Sequence, residues 1–199
     1  MLTAIVGGIG SGKSVVSRIV EIMGYEVYDC DSRAKLLMDA SDDIMSRIKS
    51  EIHDECVVDG KIDRKRLAEI VFGDEEALNR LNAIVHSAVR EDLRHWVESG
   101  GKDKVMFVET AILYQSGLDR MVDTVWEIDA PLDLRVERVM DRNSISREEV
   151  LARIAAQDSY VPVSLHPSVK HIINDNDMPL LPQVELLLGN KKTLMAKLR

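Results

Sequence analysis

The sequence predicts an α/β fold built on a mainly parallel sheet, and three observations carry that expectation. Short runs of strand-forming residues recur five times, the stretches between them have helical periodicity or the length to hold helices, and the first run passes through glycines directly into a helix. Parallel strands need crossover connections, which helices usually supply. With 199 residues, 45% apolar and 30% charged, the chain can close a core of its own. No apolar run approaches the roughly 18 residues that a bilayer crossing requires, so membrane-spanning and fibrous classes are excluded.

The predicted strands are Leu2–Val6, Glu26–Tyr28, Val105–Val108, Thr124–Ile128 and Val169–Ile173. Between the first two, Val15, Val16, Ile19, Val20 and Met23 recur at helical spacing over Ser14–Met23, and Gly24 is a plausible stop. The segment from Tyr28 to Lys104 far exceeds the roughly 10 to 12 residues of a minimal crossover and is expected to build a helical subdomain. Within it, Leu78, Leu81, Ile84, Val85, Ala88 and Leu93 mark an amphipathic helix that ends near Ser99-Gly100-Gly101. Pro131 opens a further helix, Trp96 and Trp126 are expected in the core, and Lys191, Lys192, Lys197 and Arg199 form a basic helical tail with a solvated face. The expected organisation is one domain with its core at about 1–30, 104–130 and 168–199, a helical insertion at about 31–103 and a separate region at about 131–165.

The net charge of −8 disfavours a nucleic-acid partner, because such binding rests on a broad basic surface. Cys30 and Cys56 have no Cys-x-x-Cys or His spacing around them and read as free thiols. The amino terminus has no leader pattern, so a cytoplasmic protein with no membrane partner is expected; the oligomeric state is not specified by the sequence.

Gly7-Gly8-Ile9-Gly10-Ser11-Gly12-Lys13-Ser14 satisfies G-x-x-x-x-G-K-[ST] between a strand and a helix. Glycines let successive N–H groups turn inward towards phosphate oxygens, and the following helix adds the positive end of its dipole. Lys13 would bridge the β- and γ-phosphates of a nucleoside triphosphate and the Ser14 hydroxyl would ligate Mg²⁺. Asp29-Cys30-Asp31 ends the second strand at the same edge of the sheet, where a carboxylate could accept a hydroxyl proton or hold metal-bound water, while either aspartate could equally cap a helix beginning near Ser32. Arg135, Arg138 and Arg142 recur at i, i+3 and i+7, with Arg147 shortly after, and would suit either a phosphate-gripping lid or a solvated face paired with Asp133, Glu137 and Asp141. Glu109 closes an apolar strand where a second acidic group for Mg²⁺ could stand, or is an ordinary strand end. His86 lies on an apolar helix face, where a packing histidine is the alternative to a ligand.

Taken in order, these motifs resemble the dephospho-coenzyme A kinases. The resemblance rests on the glycine-rich run, Asp29-x-Asp31 with Ala34-Lys35, Asp59-Gly60 followed by Arg64, Leu67 and Phe72, Leu81-Asn82-Ala83-Ile84-Val85-His86, Arg138-x-x-x-Arg142, Arg147 and Ala156-Gln157. It implies a P-loop NTPase-type parallel five-stranded sheet flanked by helices, a helical substrate-binding subdomain at 31–103 and a lid at 131–165. The implied reaction is transfer from ATP, with Mg²⁺, to the ribose 3′-hydroxyl of dephospho-CoA, giving coenzyme A and ADP in the last step of coenzyme A synthesis. Gly8, Gly10, Ser11, Gly12, Lys13, Ser14 and Val15 are implied to hold the nucleotide, Lys13, Asp31, Arg138 and Arg142 to be catalytic, and Asp31, Lys35, Arg64 and His86 to hold the acceptor. The chain departs from the family pattern at Val15, Cys30 and Lys35, where Thr, Ala and Arg are usual. Ala111-Ile112-Leu113-Tyr114-Gln115 replaces Pro-Leu-Leu-x-Glu, and Asn174-Asp175-Asn176 stands where an Asp-Asn pair is usual. A nucleotide kinase is the nearest alternative; a guanine-specific switch would need an Asn-Lys-x-Asp motif that this chain lacks.

Overall fold

A computed structural model describes residues 1–101 and 104–189. Along the chain run β1 (Leu2–Val6), α1 (Lys13–Ile22), β2 (Glu26–Asp29), α2 (Cys30–Ala40), α3 (Asp42–Glu51), the two-residue strands β3 (Val57–Val58) and β4 (Lys61–Ile62), α4 (Arg64–Phe72), α5 (Glu75–Gly100), β5 (Met106–Glu109), β6 (Thr124–Asp129), α6 (Leu132–Asn143), α7 (Arg147–Asp158), β7 (Val169–Ile173) and α8 (Leu180–Leu187). They fall into two compact units, Met1–Tyr28 with Lys102–Arg199, and Asp29–Gly101. Among the described residues no helix is long and apolar enough to cross a membrane.

The first unit is organised by a five-stranded sheet in the order β2–β5–β1–β6–β7. β1 is central and parallel to both neighbours, with Ile5 opposite Glu109 on one side and Trp126 on the other. Every β1 residue is buried, as expected for a strand covered on both faces, and this is why it reads as an uninterrupted apolar run. Ile5, Phe107, Trp126, Ile128 and Ile172 of the sheet pack with Val16 and Val20 of α1 and Val184 of α8. Phe107 anchors that core, its ring centroid 5.0 Å from Trp126 and 5.6 Å from Tyr25 in an edge-on contact. A second apolar cluster, Val136, Val139, Val150 and Ile154, joins α6 to α7. The turn between those helices is secured by a capping box in which Ser146 and Glu149 satisfy each other's backbone N–H groups.

In the second unit, Ile44, Ile48, Cys56, Leu67 and Ile84 form the core. Its helices begin on the side chains of Asp29, Ser41, Asp63 and Asp74, each accepting backbone N–H bonds of the first turn. Arg33 of α2 clasps Asp92 of α5 through two parallel bonds of 2.8 and 2.6 Å. The helical expectation for this stretch omitted the antiparallel hairpin of β3 and β4. Two-residue strands are too short to show alternation, but Asp59 and Gly60 both have positive φ, 50° and 70°, as a tight hairpin turn requires.

Two further expectations need correction. The helix after Asp29 starts at Cys30, two residues before Ser32, because the Asp29 carboxylate caps it. Trp96 is half-buried on α5, while Trp126 is 3% exposed in the core. Both cysteines are buried and neither is in a disulfide. The basic tail at 191–199 lies outside the described residues.

Candidate active site

The glycine loop, residues 7–12, connects the buried carboxyl end of β1 to the first turn of α1. Gly10 and Gly12 adopt φ of +79° and +97°, a region that side chains disfavour. Crowding adds a second reason: a Cβ on Gly10 would collide with the backbone carbonyl of Arg135, and one on Gly12 would occupy the site of the Asn174 amide. Gly12 caps α1 without a side chain, leaving the helix dipole facing the loop, and the exposed Ser14 and Val15 lie on the first turn. The Lys13 ammonium folds back over the loop, donating to the carbonyls of Gly7 at 2.8 Å and Gly8 at 3.4 Å.

Helix α6 crosses the outside of this loop. Arg135 donates from Nε to the Ile9 carbonyl at 2.9 Å, and its guanidinium lies against Gly8. Arg138 reaches the Gly10 carbonyl at 3.4 Å and also donates to Asn174 O and Oδ1, both at 3.2 Å, and to Asn176 Oδ1 at 2.6 Å. Arg142, one turn on, is exposed and donates to Asn143 Oδ1 at 3.1 Å. The three arginines therefore do not form one equivalent row: two are drawn onto carbonyl oxygens of the loop and the strand ends, and the third stays at the end of its helix.

Asn174, just after β7, is 8% exposed and completes the arrangement by donating from Nδ2 to the Ser11 carbonyl at 2.7 Å. Sequence reasoning assigned it no role. The available signal was a polar Asn at the carboxyl end of an apolar strand, the edge at which ligands gather in open α/β sheets. A cavity of about 400 Å³ opens beside the loop, lined by Gly8, Ser11, Glu127, Asp129, Arg135 and Asp175 among others. Ser11 Oγ and Arg135 Nη2 are buried there without a hydrogen-bond partner among the described residues. Two such donors beside a glycine loop suit ligand oxygens or water. Asp175 accepts the N–H groups of Met178 and Asp177, and these bonds, that of Met178 foremost, hold its carboxyl below the usual range.

Glu109 ends β5 in register with Ile5, two residues before Gly7, so a carboxylate stands on the strand beside the loop. Among the described residues no group of three or more acidic, His or Cys side chains forms a protein-only metal cage. A hydroxyl on the first turn of a helix with one neighbouring carboxylate is nonetheless the sparse set that Mg²⁺ accepts when phosphates and waters supply its other ligands.

The remaining predicted residues belong to the second unit. Asp29 is the helix cap of the aspartate pair, accepting the N–H groups of Asp31 and Ser32, which leaves the Asp31 carboxylate exposed on the first turn of α2. Lys35 lies four residues on, on the same helix face as Asp31. Arg64 donates to Asp39 at 2.7 Å. His86 is half-buried on α5, and burial first, with Arg90 second, pushes its imidazole below the usual range, so it is neutral at physiological pH.

Comparison with known proteins agrees with this architecture. The family model of dephospho-CoA kinase matches residues 1–178. A dephospho-CoA kinase of Porphyromonas gingivalis is 36% identical over 189 residues, covering 95% of this chain and 93% of the relative. One from Thermus thermophilus is 38% identical over 157 residues, covering 79% and 75%. Among solved structures, a Thermus thermophilus protein superposes with a TM-score of 0.73 at 33% identity, covering 100% of this chain and 98% of its own. The dephospho-CoA kinase of Campylobacter jejuni does so with 0.65 at 26%, covering 96% of each. With a glycine loop of this geometry on a five-stranded parallel sheet, and a family match spanning both units, the chain belongs to the dephospho-CoA kinase family.

Proposed function

We propose that the chain transfers the γ-phosphoryl group of ATP to the ribose 3′-hydroxyl of dephospho-CoA, giving coenzyme A and ADP in the cytoplasm. The observation that carries this reading is the glycine loop between β1 and α1, with Lys13 and Ser14 at the helix start, in a chain matched by the dephospho-CoA kinase model over residues 1–178. Gly8, Gly10, Ser11, Gly12, Lys13, Ser14 and Val15 hold the triphosphate, the backbone N–H groups and helix dipole meeting its negative charge. Lys13 exchanges its loop carbonyls for phosphate oxygens, a swap between polar partners that requires no refolding. Ser14, with Glu109 as a second candidate, holds Mg²⁺, which when bound neutralises charge on the phosphates.

Arg138 and Arg142 belong to a lid at about 131–165 and meet the charge that spreads over the transferred group. The helical insertion takes the acceptor through Asp31, Lys35, Arg64 and His86. Asp31 is exposed on the first turn of its helix and accepts the proton of the attacking hydroxyl, while the cations Lys35 and Arg64 meet the acceptor's phosphates. Little covalent chemistry is asked of the protein, because positioning and charge stabilisation carry phosphoryl transfer.

The test is direct. Purified protein with ATP, Mg²⁺ and dephospho-CoA should yield a product heavier by one phosphoryl group, located on the ribose 3′ oxygen by phosphorus NMR. Lys13→Ala should lose roughly 10²-fold or more in turnover, the scale of one preorganised charge, while melting normally. Phosphorylation of nucleoside monophosphates with dephospho-CoA untouched would replace this reading with that of a nucleotide kinase.

A further inference from the structure

Ile9, at the tip of the glycine loop, is held at three points. Its N–H donates to Gln157 Oε1 of α7 at 2.8 Å, its carbonyl accepts from Arg135 Nε of α6 at 2.9 Å, and its side chain packs against the cluster of Val136, Val139, Val150 and Ile154 that joins those two helices. The other end of the Gln157 amide is also engaged, with Nε2 donating to the Ala111 carbonyl at 3.1 Å. Ala111 belongs to the segment leaving β5, two residues after Glu109 and one after Thr110, whose N–H donates to the Ile5 carbonyl at 3.1 Å. One half-buried side chain thus grips the glycine loop with its acceptor and the segment after β5 with its donor. The two polar ends of the amide match their partners in only one orientation.

We propose that Gln157 is a positioning residue for phosphoryl transfer: by holding the Ile9 N–H and the Ala111 carbonyl together it sets the glycine loop against the Glu109–Ala111 segment. The inference rests on the kinase function proposed above. A reaction that depends on alignment is sensitive to such a spacer, since displacements on the order of 1 Å cost roughly 10²-fold in rate. Ground-state nucleotide binding draws on the whole loop and is much less sensitive to it.

Gln157→Met keeps length and bulk and removes both bonds. Gln157→Glu in its ionised form still accepts from Ile9 but sets a carboxylate oxygen against the Ala111 carbonyl, and once protonated it regains an O–H donor and mimics the amide. Steady-state kinetics with saturating dephospho-CoA, measured from pH 5 to pH 8, should show kcat of the Met variant reduced about 10-fold or more with KM for ATP changed less than about threefold. The Glu variant should be similarly impaired at pH 8 and recover as pH falls, its kcat relative to wild type rising about twofold or more by pH 5, where about a sixth of a carboxyl of ordinary pKa is protonated. A merely structural role has no reason to produce that recovery. A Met variant within twofold of wild type in kcat overturns the proposal. If the Met variant does not fold, the Glu profile decides alone, and a flat ratio across pH overturns it. Should the wild-type chain phosphorylate a nucleoside monophosphate instead, the substrate reading falls, and the same ratios measured with that acceptor still decide the role of Gln157.

Discussion

Arg138 and Arg142 lie one turn apart on α6, yet their surroundings assign them different consequences. Arg138 donates to the Gly10 carbonyl and to three oxygens of Asn174 and Asn176, so deleting it strands acceptors that are mostly part-buried as well as removing a charge. Arg142 is exposed and donates to Asn143 Oδ1 at the end of the helix. Arg138→Ala should cost about 1–3 kcal/mol of stability, seen as a fall of several degrees in Tm, together with a loss of turnover. Arg142→Ala should leave Tm within about 1–2 °C and slow turnover alone, with Arg142→Lys recovering only part of the loss because it lacks the planar fork. Equal thermal shifts in the two Ala variants would contradict this division. Asn174 shows what sequence left unread at this scale: its partners, Ser11 and Arg138, lie far away along the chain, and no local pattern announces a side chain that fits the space left by the missing Cβ of Gly12.

At the scale of elements, the glycine loop and α6 form one packed object. The loop's glycines differ in what they permit. A methyl group on Gly10 meets the backbone of α6 at Arg135 and a positive φ, neither of which yields cheaply. One on Gly8 meets the end of the Arg135 side chain, which can swing away. Gly10→Ala should therefore abolish measurable ATP turnover and lower Tm by several degrees, whereas Gly8→Ala should retain substantial nucleotide binding; calorimetric titration with ATP beside thermal melts checks both. The glycine signature itself was legible, because a loop of fixed length between a strand and a helix is local information. Which glycine answers to a turn and which to a neighbouring helix was not, since α6 arrives from more than a hundred residues away.

For the whole molecule, pH is the informative variable. Burial lowers the pKa of His86, so the folded protein prefers the neutral ring and the unfolded chain binds the proton first as pH falls below its ordinary value of 6.5. This contribution to stability is present above pH 6.5 and is lost on acidification through the window beneath it. The depressed carboxyls of Glu51, held by the hydrogen bond from Arg47, and of Asp175, held by the N–H of Met178, act in a separate window, below their ordinary values of 4.5 and 3.8. Tm of wild type should fall between pH 7.5 and 5.5, and His86→Gln should flatten that decline; identical pH slopes for the two proteins would remove His86 as its source.

The sequence by itself determined the α/β class, all five sheet strands to within a residue or two, the helical character of the 31–103 segment and the glycine loop, because each is written in period, composition or a short contiguous motif. It also carried the family, through several motifs in one order. Only the tertiary structure decided that Asp29 caps α2 while Asp31 stays exposed, that Arg135 and Arg138 but not Arg142 lie on the loop, that Asn174 and Gln157 fasten it, and that a hairpin interrupts the helices at Val57–Ile62. The physical reason is range. Periodicity and caps are set by neighbours within a turn or a pleat, whereas a polar side chain takes its partner from whatever the packed core brings alongside, and that choice exists only after the apolar faces have been buried.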